Sequence, residues 1–170
     1  MLGFLFRGLT AERQRGAALF DALTAEARRS HWYIEGEVPD TLDGRFGVLA
    51  TVTALVLVRL ERDGDEGDSV SVALTERFIE VMESEHRELG LGDPTLGKTV
   101  RKLVGMLARR TELWRSTANG KGGWAEATGE SLYRSDGPAA AVHHSSRSLK
   151  SLWDRLEASS LRDLEKGKIA

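Results

Sequence analysis

The residues of this chain that come nearest to a chemical motif are Gly92, Gly97, Lys98 and Thr99, spaced Gly-x-x-x-x-Gly-Lys-Thr. That spacing satisfies the phosphate-loop pattern, in which backbone N–H groups cradle phosphates, the lysine reaches the outer ones and the hydroxyl holds magnesium. Such a loop works at the carboxyl edge of a parallel sheet, directly after a buried strand. Here the preceding residues, ERFIEVMESEHREL (76–89), are rich in charge and place Phe78, Val81, Met82 and Leu89 at helical spacing. Asp93 would put a carboxylate inside the cradle, and Pro94 would remove one of its donors. A corner between two helices accounts for the same residues. Gly90 or Gly92 ends the first helix in the left-handed conformation. Asp93 caps the second, with Pro94 at its first position. Gly97 lets a neighbouring backbone approach, and Lys98 points to water. A nucleotide-binding enzyme acting through Gly92–Thr99 is therefore the weaker reading.

The other reactive side chains have plain explanations. Glu83-x-x-His86 has the spacing that di-iron helical bundles use, but such a site needs a second copy on another helix and the sequence has none. A solvated face with Glu76 and Glu80 is expected instead. His143 and His144 are adjacent and diverge on a helix, so both are expected at the surface. His31, beside Trp32 and Tyr33, reads as a packing cluster at a helix end. Ser145 and Ser146 lack the glycines of a nucleophile elbow. There is no cysteine, which excludes disulfides, thiolate metal sites and thiol catalysis. No catalytic residue, metal or cofactor is expected.

The elements that must position any site follow from composition and periodicity. The 170 residues fit one domain of ordinary size. With 24 Lys+Arg against 26 Asp+Glu, a formal net charge of −2, nothing indicates an electrostatic grip on nucleic acid. The start MLGFLFRGLT is greasy, but Arg7 interrupts it before a secretory h-region is complete, and the acids Glu12, Asp21 and Glu26 argue against a transit peptide. The longest apolar run, Val48 to Val58, falls well short of the roughly 20 residues that span a bilayer. It reads as a helix buried on most sides.

The pattern predicts helices throughout. A first helix runs from Thr10 to about Trp32, with Leu19, Phe20, Leu23 and Ala27 on its apolar side. A second carries Phe46 and Leu49 through to Leu60. ERDGDEGDS (61–69) reads as a hydrophilic loop, with Ser69 or Ser71 capping a third helix that ends at the glycine corner. A fourth spans Pro94 to about Thr117 with Leu96, Val100, Leu103, Leu107 and Trp114 on one face and Arg101, Lys102, Arg109 and Arg110 elsewhere. NGKGG (119–123) breaks it. A short helix over Trp124–Tyr133 and a stripe of Leu149, Leu152, Trp153 and Leu156 follow, then a last turn or two with Leu161 and Leu164.

The turn VPDTLDGRF (38–46) concentrates two acids, a threonine, a proline, a glycine and an arginine. Asp40 or Thr41 can cap the second helix, and Gly44 relieves crowding. Arg45, beside Phe46, has no capping role, so it marks either a fixed ion pair, with Asp40, Asp43, Glu88 or Asp93 as mate, or a partner contact.

This turn, the apolar helix ending VLVRL, and the helix ending RELGLGD and continuing to Gly97-Lys98 resemble the ubiquinol-cytochrome c chaperone family. The resemblance is strongest over 32–114. It implies an all-α fold, a single compact multi-helix domain over 1–170, with an N-terminal helix in 1–31 and a chaperone-like part over 32–170. It implies a non-catalytic assembly chaperone of the cytochrome bc complex that binds newly made cytochrome b, with a possible partner chaperone. The setting expected is cytoplasmic, with peripheral association at the inner membrane. The family signature falls on Val38, Pro39, Asp40, Thr41, Asp43, Gly44, Arg45 and Phe46, then on Arg87, Glu88, Gly90, Gly92, Asp93, Gly97 and Lys98. From these, Asp40, Asp43, Arg45, Phe46, Arg87, Glu88, Asp93 and Lys98 form the candidate partner-binding network. The sequence departs from the family where a histidine is often found, at Val52, and over Leu107–Arg110, where an aromatic-rich segment is usual. A divergent bacterial member is the placement expected. The alternative is a helical module that encloses a lipid or small molecule.

Overall fold

The structure, a computed structural model, describes residues 16–90 and 92–170. Among them are the helices α1 (Ala17–Ala27), α2 (Leu42–Leu60), α3 (Gly64–Glu88), α4 (Asp93–Ala118), α5 (Trp124–Tyr133), α6 (Ala139–Ala158) and α7 (Leu161–Glu165), with 3-10 turns at Ser30–Trp32 and Glu61–Asp63 and no strand. The fold class is all-α, as expected.

The apolar run builds the centre. From Gly47 to Leu60 every residue of α2 except Leu57 is buried, because α1, α3, α4, α5 and α6 all pack against it. Leu55 and Leu60 have no exposed surface, and each such leucine contributes about 1.5–3 kcal/mol by leaving water. The fourth helix and the stripe of α6 bury the faces their spacing predicts: Leu96, Leu107 and Trp114 on one, Leu149, Leu152, Trp153 and Leu156 on the other.

Where the chain leaves the predicted pattern, tertiary contacts decide. The first helix does not reach Trp32. It stops at Ala27 because the Trp32 indole donates to the Glu26 carbonyl (3.0 Å) and the Tyr33 hydroxyl to that of Ala27 (2.7 Å), satisfying helix-end acceptors and folding the chain back. The part of that prediction before residue 16 lies outside the described residues.

Residues 61–69 are not a loop, and neither Ser69 nor Ser71 is a cap. A 3-10 turn leads straight into α3 at Gly64. Asp65 and Glu66 occupy its first turn, where negative charge favours the helix dipole. Gly67 is a packing requirement, since a Cβ there would stand 2.0 Å from the Leu60 carbonyl oxygen. Arg59 locks this end: its guanidinium donates to the carbonyls of Leu156 (3.0 Å) and Ser159 (2.8 Å) and to Asp63 (2.5 Å).

The corner reading of the glycine-rich stretch holds, with changes of detail. Gly90 ends α3 with φ +83°. The N-cap of α4 is Gly92, not Asp93, which is the first helical residue. Gly97 is exposed and a Cβ there would meet nothing within 4 Å, so no backbone approaches it.

Candidate functional site

The signature turn is built from the inside outward. Val38 is buried and its N–H donates to the Trp32 carbonyl (3.0 Å). The Tyr133 hydroxyl bonds the Gly36 carbonyl, and is itself 2.8 Å from the Ser145 hydroxyl on α6. With its root held, the turn presents Thr41 as the N-cap of α2, accepting from the Gly44 N–H at 3.2 Å. Gly44 is required because a Cβ there would lie 1.9 Å from the Pro39 carbonyl oxygen.

Of its four candidate mates Arg45 takes Asp40, Nε to Oδ1 at 2.6 Å. This hydrogen bond holds the Asp40 carboxyl below its ordinary range and raises the guanidinium. Both side chains are more than half exposed, so water screens the pair and it orients the turn more than it stabilises the fold. Asp43 lies 3.9 Å from Arg134, both almost fully exposed. Phe46 turns inward against Phe78, ring centres 6.0 Å apart.

The turn forms one end of an open groove of about 1820 Å³, bounded by the start of α2, the C-terminal part of α3, α4 and the end of α5. Small-molecule pockets run to roughly 300–1,000 Å³, so this space suits a larger occupant. Its floor is apolar, with Phe46, Leu49, Met82, Leu103 and Met106. Its edge carries Ile34 (68% exposed), Leu42 (54%) and Leu89 (62%). Among the described residues the large hydrophobics left exposed are these three and Val72. Three of these four line one groove, and exposed apolar surface gathered at one place is the kind that marks a binding surface.

The groove gathers Asp40, Asp43, Arg45, Phe46 and Glu88 of the residues selected from the sequence. Arg87 and Lys98 are exposed outside it, and Asp93 begins α4. Leu89, expected on the buried stripe of α3, is instead exposed at the groove's edge, because it follows the last helical residue and caps the helix end. Ile34 precedes the signature turn and Leu42 lies within it, and neither carried a periodic signal.

Arg110 was also missed. It is half-buried in the groove wall, its Nη2 donates to the Ser131 carbonyl (2.9 Å), and its Nε is buried without a partner. Burial lowers its pKa, and the neighbouring Arg109 adds to this.

The remaining motifs stay apart from the groove or inert within it. His86 lines it, but Nδ1 sits 2.7 Å from the Met82 carbonyl, and no group of three metal-ligating side chains occurs among the described residues. His144 is half-buried, not surface-exposed as expected, since its Nε2 meets Nδ1 of His31 at 3.1 Å. Ser145 and Ser146 are buried, and Ser145 is occupied by Tyr133. Val52 has no exposed surface and Leu107 almost none. Those departures change the core, whereas Arg109 and Arg110 stand in the groove wall. No helix among the described residues is long and apolar enough to cross a membrane.

A family model described as ubiquinol-cytochrome C chaperone matches residues 35–133, more than half of the chain and reaching past Arg110 to Tyr133. Among solved structures the chain is similar to the Cbp3 homolog from Brucella abortus, at 23% sequence identity and a TM-score of 0.79, over 100% of this chain and 96% of that one. At that identity the likeness is one of fold. No curated protein matches the sequence.

Proposed function

The chain belongs to the ubiquinol-cytochrome C chaperone family, and from that premise we propose that it is a non-catalytic assembly factor that holds newly made cytochrome b in the groove until its partners arrive. The observation that carries this reading is the convergence of Ile34, Leu42 and Leu89 on the edge of one large apolar-floored groove. A membrane protein not yet assembled exposes apolar helix faces, and an apolar groove with a polar rim receives such a face while fixing its orientation. The lining supplies both signs, with Asp40 and Glu88 among its acids and Lys102 and Arg109 among its bases. Asp40 and Arg45 shape the entrance by bracing the turn, and Phe46 joins the floor to the core. Because the client lies in the bilayer, the protein works as a peripheral membrane protein, and a partner chaperone joins it outside the groove. The openness of the groove favours a macromolecular client over the enclosed cavity that a lipid-binding module would need.

The test is a reduced-minus-oxidised haem spectrum of membranes from cells with and without the gene, complemented with wild type or with Ile34→Asp/Leu42→Asp/Leu89→Asp. All three side chains are exposed, so the variant is expected to fold. Loss of the bc-complex haem signals on deletion, restored by wild type and not by the variant, supports the reading. Full restoration by the variant would remove the groove from the function. An unchanged spectrum on deletion would remove the assembly role itself.

A further inference from the structure

Helix α4 has a solvent-facing side that extends past the groove wall. From Pro94 to Thr111 the sequence carries Lys98, Arg101, Lys102, Arg109 and Arg110 and no acid, in a chain of formal net charge −2. Lys98, Arg101, Lys102 and Arg109 are all exposed, and among the described residues none of them is held in an ion pair, unlike Arg45, Arg59, Arg62, Arg77 and Arg115. At 3.6 residues per turn, Lys98, Lys102 and Arg109 fall within about 40° of one another around the helix, and the stripe from Lys98 to Arg109 is about 16 Å long. The positions between them are small. Gly97 and Gly105 are exposed and open, and Ala108 is exposed. The acid that continues this face, Glu112, is paired with Arg115.

Unpaired cations held in one plane on a rigid helix seek an extended anionic surface. Single-stranded nucleic acid would also want aromatic side chains for its bases to stack on, and the one aromatic residue of α4, Trp114, is fully buried. Membrane-protein loops on the cytoplasmic side carry an excess of Lys and Arg, which this face would repel. Anionic lipid headgroups meet the requirement without base stacking or a fixed register.

We propose that the outer face of α4, through Lys98, Arg101, Lys102 and Arg109, seats the protein on an anionic phospholipid surface. Lys102 and Arg109 also stand on the groove wall, so the seated protein holds the groove alongside the bilayer, where apolar client segments emerge. The inference rests on the peripheral association proposed above and assigns it to a face.

The experiment is flotation of the full chain with vesicles of phosphatidylcholine, alone or mixed with phosphatidylglycerol, at low and high salt. Wild type is expected to float with the mixed vesicles only, and to be released by salt that shortens the screening length. Lys98→Glu/Lys102→Glu/Arg109→Glu is expected to weaken that binding by at least on the order of a hundredfold, since each cation at an anionic surface contributes about fivefold. Lys121→Glu/Arg147→Glu/Arg162→Glu makes the same change of net charge at other exposed positions and is expected to retain it. Wild type that ignores the mixed vesicles overturns the peripheral reading and this proposal together. If wild type binds and the α4 variant binds equally, or the control loses as much, the face is wrong while peripheral association stands. Should the α4 variant lose binding to a single-stranded RNA and keep binding to vesicles, the face belongs to nucleic acid instead.

Discussion

Replacing Gly44 with alanine is expected to destabilise the protein, and replacing Gly105 with alanine to stabilise it, although both glycines lie inside helices. At Gly105 the helix is exposed and a Cβ meets nothing within 4 Å, so the substitution gains the usual helix preference of alanine, about 0.5–1 kcal/mol. At Gly44 a Cβ falls 1.9 Å from the Pro39 carbonyl oxygen and 3.0 Å from its carbon. That carbonyl is not free to retreat. It accepts the Thr41 N–H (2.8 Å), and the adjacent Val38 is buried and bonded to Trp32. Relief must come from a shift of the turn, which costs about 1–3 kcal/mol as overpacking. If the shift also breaks the Thr41 cap, about 1 kcal/mol more is lost. After the offset of up to about 1 kcal/mol from helix preference, the net loss is about 1–3 kcal/mol. For a chain of this size each kcal/mol moves Tm by about 2–4 °C. Thermal unfolding followed by far-ultraviolet circular dichroism should therefore place Gly44→Ala below wild type by several degrees and Gly105→Ala above it by about 1–4 °C. Because the turn forms one end of the groove, Gly44→Ala should also weaken client binding in cells at permissive temperature. Gly44→Ala melting at or above wild type would refute the close approach, and with it the claim that this signature glycine is there for the turn.

Other expectations follow from single contacts. Arg59→Met leaves two carbonyls and the Asp63 carboxylate without their donor at the α2–α6 junction; a loss of about 3–5 kcal/mol in urea unfolding is expected, and a loss under 1 kcal/mol would show that water replaces the guanidinium. His31 has a pKa lowered first by burial and then by Arg29. The unfolded chain therefore binds a proton near 6.5 before the folded one does, so stability is full above that pH and declines as pH falls through it. His31→Gln should flatten this slope between neutral pH and about pH 5, and an unchanged slope would assign it to other groups. Labelled ATP with magnesium should show no specific binding at Gly92–Thr99, because α4 begins at Asp93 and the N–H groups of a phosphate cradle are not presented. Saturable binding lost in Lys98→Ala would reverse that.

The sequence announced the parts of the fold that depend on one segment alone. The buried α2 was visible as an unbroken apolar run, α4 and α6 as stripes, the α3–α4 corner as glycine, aspartate and proline in order, and α5 by the breaks on either side. It misled where glycine served packing. Gly67 belongs to a helix because Leu60 comes close to it, and nothing within GDEGDS reports that neighbour. Of the candidate groove, the sequence pointed to Asp40, Arg45 and Phe46, whose partners lie within the turn or directly beneath it. It did not point to Ile34, Leu42 and Leu89, since an exposed hydrophobic residue is written with the same letter as a buried one. The meeting of His31 with His144, and of Arg110 with Ser131, joins segments whose sequences do not mention each other.

The bond from the Tyr133 hydroxyl to Gly36, shared with Ser145, ties together the two ends of the matched segment and then reaches beyond it. Residues 35–133 are delimited by their likeness to relatives, yet the hydroxyl that pins their first turn is itself met by Ser145 of α6, and the guanidinium that closes α2 is held by carbonyls at the end of that same helix. Cutting the chain after Tyr133 would keep the Tyr133–Gly36 bond but remove the Ser145 hydroxyl beside it and both carbonyls that hold Arg59. What evolution keeps alike and what must fold together are, in this protein, different stretches of chain, and any minimal fragment has to be drawn by the second boundary.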